Sequence, residues 1–269
     1  MTLEIIKRYN IKAKKSLWQN FLVNEEILNQ ISSFLSISWE NIIEVGPGYW
    51  ALTQRLLEEK PLSLTLVELD ESMIKILEDR IFRWELWTEG IGFEIYNQDV
   101  LKYTPELEKY SVVANIPYYI TSPILRHFIY DVEHIPESMI ILMQKDVGDK
   151  ILWYKKNKSS VISLFVNKKY QVEEIIKVPK ENFIPAPKVE SSILLFEKHN
   201  LYGEIDNQKF LTIIKIWFSS SRKKLISNLV AWGFQKHKVL SIFKELEIEE
   251  NARWEDLDIS QWCDIVKAL

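Results

Sequence analysis

At 269 residues the chain is long enough to bury a sizeable core, as one large domain or as a large and a small one. A net charge of −4 argues against nucleic-acid binding by bulk charge, and no apolar run approaches the ~18 residues of a membrane span. The single cysteine, Cys263, excludes an internal disulfide, and four scattered histidines show no metal-ligand spacing, so no metal is expected.

The elements then follow in order. Asn41–Val45 reads as a buried strand, succeeded by Gly46-Pro47-Gly48 and a helix over residues 51–59. Glycines between a strand and a helix let backbone approach a ligand. A second strand, residues 62–67, ends in Glu68-Leu69-Asp70, which places Glu68 to accept hydrogen bonds from a ribose diol. A third, residues 93–96, leads to Asp99, an acceptor for an adenine amino group. A fourth, residues 111–114, delivers Asn115-Ile116-Pro117-Tyr118. Polar residues at successive strand ends describe a doubly wound α/β sheet with its ligand over the carboxyl edge.

The Asn115–Tyr118 tetrad resembles the catalytic loop of enzymes that methylate exocyclic amines, adenine N6 above all. The adenine amine is a poor nucleophile because its lone pair is delocalised into the ring. The Asn115 side-chain oxygen and the Ile116 carbonyl would accept its two hydrogens and turn the lone pair toward a methyl donor. Pro117 fixes its own φ and keeps Ile116 out of helix. Tyr118 offers a flat face to an extruded base.

Beyond residue 144, further strands are expected at 161–166, 171–178 and 191–197. A polar stretch, 198–204, reads as a linker, and helices are expected over 207–219, 222–230, 236–246 and 260–268. This divides the chain into a catalytic domain, 1–200, and a small all-helical domain, 201–269. Basic residues cluster in three places. Lys7, Arg8, Lys12, Lys14 and Lys15 stand against Glu4, ten lysines between 145 and 188 stand against five acids, and Arg222-Lys223-Lys224 forms the third cluster. Lys14, Lys15, Arg222, Lys223 and Lys224 are the expected phosphate contacts. The amino end lacks a signal-peptide apolar core, so a cytoplasmic location is expected.

Taken together the chain resembles the ribosomal RNA adenine N6-dimethyltransferase family over nearly its whole length. The carriers are Lys15-Ser16-Leu17-Trp18-Gln19-Asn20-Phe21-Leu22, Glu44-Val45-Gly46-Pro47-Gly48, the Asn115 tetrad, Phe183-Ile184-Pro185-Ala186-Pro187-Lys188, and Phe218-Ser219-Ser220-Ser221-Arg222. The resemblance implies a Rossmann-like class I methyltransferase using S-adenosylmethionine, with Asn20, Leu22, Gly46, Glu68, Asp99 and Asn115 contacting the cofactor. It implies that Tyr118 and Phe183 sandwich the target adenine and that the small domain helps choose the RNA. The implied partner is small-subunit rRNA or its precursor particle, modified by a monomeric enzyme at two adjacent adenosines near the 3′ end. Two alternatives stand beside it: the antibiotic-resistance branch acting on large-subunit rRNA, toward which Ile116 leans, and a non-enzymatic RNA-binding ribosome-assembly factor.

The chain holds ten tryptophans and only seven glycines, far below ordinary glycine usage. Trp18, Trp50 and Trp217, and more weakly Trp39, stand where the family has glycine, which points to a codon, UGA, that means glycine in the source. Trp262 reads as an ordinary core aromatic. The indole of Trp50 is expected to crowd the glycine loop and weaken cofactor binding.

Overall fold

The computed structural model describes residues 2–34, 40–152, 159–218 and 223–269. Contacts divide the chain into two units, one of residues 1–148 with 173–197 and one of 149–172 with 198–269. The second unit therefore includes residues 149–172, which the sequence grouped by pattern with the first.

The first unit opens with α1 (Thr2–Arg8), β1 (Phe21–Leu22) and α2 (Glu25–Phe34). Alternation follows: β2 (Asn41–Val45), α3 (Ala51–Glu58), β3 (Ser63–Glu68), α4 (Glu71–Phe82), β4 (Gly92–Asn97), β5 (Ser111–Asn115), α5 (Thr121–Arg126), β6 (Ser138–Gln144) and α6 (Lys145–Ile151). The second unit contributes α7 (Val161–Asn167). The chain returns through β7 (Tyr170–Val178), β8 (Phe183–Ile184) and β9 (Ser191–Lys198). The main sheet has the order β4-β3-β2-β5-β6-β9-β7. β4 through β6 pair in parallel and β9 runs antiparallel to β6.

Hydrophobic strand interiors explain this arrangement. Ile42, Ile43 and Val45 of β2, and Val112, Val113 and Ala114 of β5, are buried because helices cover a parallel sheet on both faces. Winding reverses between β2 and β5, so the crevice outside their carboxyl ends is the topological switch point. β1 and β8 form a separate two-stranded antiparallel pair, with Leu22 opposite Phe183. That pairing joins two sequence motifs far apart in the chain.

The second unit continues with α8 (Asn207–Phe218), α9 (Leu225–Ala231), α10 (Lys236–Glu245) and α11 (Ile259–Ala268), packed on Phe210, Leu229, Phe243 and the fully buried Trp262. One expectation is corrected here, because residues 161–166 form a helix, not a strand. Ser160 and Ser163 make a capping box, each side chain accepting from the other's backbone N–H (Ser163 N to Ser160 Oγ 3.0 Å, Ser160 N to Ser163 Oγ 2.7 Å), and this nucleates α7. A short apolar run does not distinguish buried strand from buried helix. No helix among the described residues is long and apolar enough to cross a membrane.

Candidate active site

A cleft opens within the first unit at the carboxyl ends of β2, β3 and β5, where open α/β sheets bind their ligands. Gly46 and Gly48 follow β2 with φ of +65° and +58°, left-handed values that favour glycine. A Cβ on Gly48 would stand 3.3 Å from the Phe21 ring, a tight approach that adds to the strain a side chain would meet at that φ.

Glu68 ends β3 and lines the cleft. Its Oε2 accepts from Gly48 N (3.0 Å) and its Oε1 from Asp70 N (2.8 Å), which fixes the carboxyl against the glycine loop. Burial pushes its pKa above the usual carboxylate range, against the pull of these N–H groups. A carboxylate has about four acceptor sites, so capacity remains for a diol. Beneath the loop, buried Glu44 accepts from Thr53 Oγ1 (2.6 Å), and burial raises its pKa to about 8. Asp99 lines the cleft and caps a short turn, its Oδ1 accepting from Leu101 N (3.0 Å).

Asn115, the last residue of β5, lines the same cleft with Ile116, Pro117 and Tyr118. Pro117 adopts φ −57° and ψ 135°, and a single 3₁₀ turn over Tyr118–Ile120 leads into α5. The Tyr118 hydroxyl meets Ser191 Oγ at 2.6 Å, which holds the ring, and burial raises the phenol pKa. Phe183, on β8, is buried in the core and also forms part of the cleft wall.

Asn20, Gly46, Glu68, Asp99 and Asn115 thus line one cleft. Leu22 lies behind the lining, and its carbonyl accepts from the Tyr49 hydroxyl. Sequence reasoning missed Tyr49, which lines the cleft, and Asn97, whose Nδ2 donates to Glu68 O (2.9 Å). No local signal marks either. The expected phosphate contacts belong to different units. Lys223 and Lys224 are exposed in the second unit. Lys14 pairs with Asp70 (2.6 Å). Arg222 and the Lys15 side chain lie outside the described residues.

The crowding expected of Trp50 is not found. Its indole turns into the core, fully buried, and Nε1 donates to Met73 O (2.9 Å). What remains unusual is its backbone: Trp50, Trp18 and Trp84 have φ of 72°, 51° and 59°, a region costly to L-residues other than glycine. Trp18 is 67% exposed at the rim of the cleft, its ring 6.5 Å from that of Tyr119. Trp39 and the Trp217 side chain lie outside the described residues.

A Rossmann-like sheet with a glycine loop, a buried carboxylate and an Asn-Ile-Pro-Tyr loop at three strand ends has the layout of a class I methyltransferase. The chain belongs to the ribosomal RNA adenine dimethylase family, whose model matches residues 10–269. It is 35% identical over 261 residues to the ribosomal RNA small subunit methyltransferase A of Fusobacterium nucleatum, covering 95% of this chain and 97% of that one. To the protein of the same name from Mycoplasma mobile it is 34% identical, covering 92% and 94%. Two solved structures share the fold. A dimethyladenosine transferase from Plasmodium falciparum gives a TM-score of 0.77 at 22% identity, covering 91% of this chain and 95% of that one. The 23S rRNA methyltransferase ErmE gives 0.73 at 20%, covering 93% and 99%.

Proposed function

We propose that this protein transfers methyl groups from S-adenosylmethionine to N6 of adenosines in small-subunit rRNA, two adjacent adenosines near the 3′ end being the target. The observation that carries this reading is the Asn115–Tyr118 loop opening onto the same cleft as Gly46, Glu68 and Asp99. The small-subunit choice follows the curated relatives named above.

The cleft fits the cofactor by its donor and acceptor set. Glu68, fixed by Gly48 N and Asp70 N, would hold the ribose diol. The Asp99 carboxyl would accept from the adenine amine. Gly46 and Gly48, with no side chains, would admit the amino-acid portion close to backbone. When bound, S-adenosylmethionine supplies an electrophilic methyl on a sulfonium. The protein's own work is to orient the target. Asn115 Oδ1 and the Ile116 carbonyl would accept the two N6 hydrogens, localising the lone pair. Tyr118 and Phe183 would sandwich the flipped base. The methylated ammonium is acidic enough to lose its proton to water, so no general base is required. Lys223 and Lys224 would meet RNA phosphates.

The test is methyl transfer by purified protein to small-subunit particles or RNA lacking the modification, with large-subunit RNA as comparison. Label confined to adenosine N6 of the small subunit is expected. Label on large-subunit RNA alone would move the protein to the antibiotic-resistance branch, and no transfer to either would leave it a binding factor.

A further inference from the structure

The segment 14–22 carries Asn20 and Leu22, and Leu17, Trp18, Gln19, Asn20 and Phe21 all line the cleft. Its downstream end is secured by pairing with β8. Well upstream, Tyr9 Oη donates to Asp79 Oδ2 (2.7 Å), tying the end of α1 to α4. Between these anchors the segment is drawn toward one buried carboxyl. Lys14 Nζ donates to Asp70 Oδ1 (2.6 Å), and Gln19 Nε2 donates to Asp70 Oδ2 (3.0 Å). Gln19 Oε1 in turn accepts from the backbone N–H of Lys14 (2.9 Å), closing residues 14–19 into a loop. Asp70 is itself immobilised as the N-cap of α4, accepting from Ser72 N (3.0 Å). Its backbone N–H is the donor that holds Glu68 Oε1. One residue therefore joins the segment over the cleft to the carboxylate inside it.

We propose that Lys14, Gln19 and Asp70 form a latch that fastens the segment 14–22 across the cleft and positions Asn20 and Glu68 for the cofactor. The inference rests on the cofactor-binding reading of that cleft, and it assigns Lys14 to the protein's own architecture and not to RNA phosphate. Charge supports the geometry. Burial raises the Asp70 pKa, but the hydrogen bonds from Lys14, Ser72 and Gln19 outweigh it and leave the group below its ordinary value. The carboxyl is ionised at neutral pH, and a buried anion needs its cation. The Lys14 side chain is 45% exposed, so the pair can open without unfolding either element. Opening would free residues 14–19 while β1 stays paired, a route for cofactor exchange.

The variants are Lys14→Met, Gln19→Ala and Lys14→Arg, in the full chain, with thermal unfolding as a check on the fold. The probe is S-adenosylhomocysteine, titrated by calorimetry, alongside steady-state methyl transfer and the salt dependence of RNA binding. Lys14→Met and Gln19→Ala are expected to weaken the probe by about tenfold or more, the worth of one charge-assisted hydrogen bond. Cofactor KM should rise with them, and in Lys14→Met, whose side chain is outside the cleft lining, kcat at saturating cofactor and the RNA salt slope should stay put. Lys14→Arg should restore binding, because a guanidinium can re-form the pair. Probe affinity within twofold of the parent in both truncations overturns the latch and leaves the function standing. A shallower salt slope in Lys14→Met with unchanged probe affinity also overturns it and makes Lys14 a phosphate contact. A parent protein that binds no probe overturns both the latch and the methyltransferase reading beneath it.

Discussion

Replacing Glu44 with glutamine should flatten the pH dependence of stability on its alkaline side. Glu44 sits on β2 beneath the glycine loop, 1% exposed, with Thr53 Oγ1 donating to it. Burial lifts its pKa from 4.5 to about 8, and the nearby Glu68 pushes in the same direction. A folded-state pKa above the unfolded one means the group favours folding fully below pH 4.5 and loses that contribution as pH rises through about 8. Each tenfold change in proton affinity corresponds to about 1.4 kcal/mol. The full span is then worth on the order of 5 kcal/mol, a large part of the ~5–15 kcal/mol that holds a domain together. Urea unfolding of parent and Glu44→Gln at pH 5, 7 and 9 measures it. The parent should lose stability relative to the variant between pH 5 and 8, and the difference should level off above. Glu68 is raised as well, so the variant keeps a smaller slope of its own. Parallel curves from pH 5 to 9 would show that Glu44 is ionised in the fold and refute the reasoning.

Four further outcomes follow from the same geometry. Asn115→Ala should lower kcat by about 2–4 kcal/mol of transition-state stabilisation, read in single-turnover transfer at saturating cofactor; a rate within twofold of the parent contradicts the role. Tyr118→Ala and Phe183→Leu should weaken handling of the flipped base by about 1–3 kcal/mol with cofactor affinity little changed; the leucine spares a residue that also packs the core. Collapse of cofactor binding with normal methylation would make the two rings cofactor contacts. Neutralising Lys223 and Lys224 should make the salt dependence of RNA binding shallower by nearly one slope unit per lost phosphate contact, and an unchanged slope would mark a merely solvated face. Trp18, Trp50 and Trp217 should be encoded by UGA and appear as glycine when peptides of the native protein are weighed; tryptophan at all three defeats the codon explanation.

The strand ends were legible in the sequence because each strand ends on, or is followed within two residues by, a residue with its own chemistry: Gly46, Glu68, Asp99 and Asn115. Four such stations in order admit few folds. Residues 161–166 misled because an apolar run of that length fits either period, and the deciding signal was the Ser160–Ser163 pair at its head. Lys14 read as a surface charge because its partner, Asp70, is 56 positions away and only the fold brings them together. Trp50 was placed correctly in the backbone and wrongly in space. A left-handed residue at the head of α3 aims its side chain into the core, a direction that sequence spacing does not encode. The β1–β8 pairing was likewise invisible, since two-residue strands carry no periodicity.

The most direct test of the central claim is to map N6-dimethyladenosine on rRNA from cells that lack the gene and carry either the parent or Asn115→Ala. The account predicts that the parent restores dimethylation of adjacent adenosines near the 3′ end of small-subunit rRNA and that Asn115→Ala does not. Restoration by both, or a map unchanged by the parent, would contradict it.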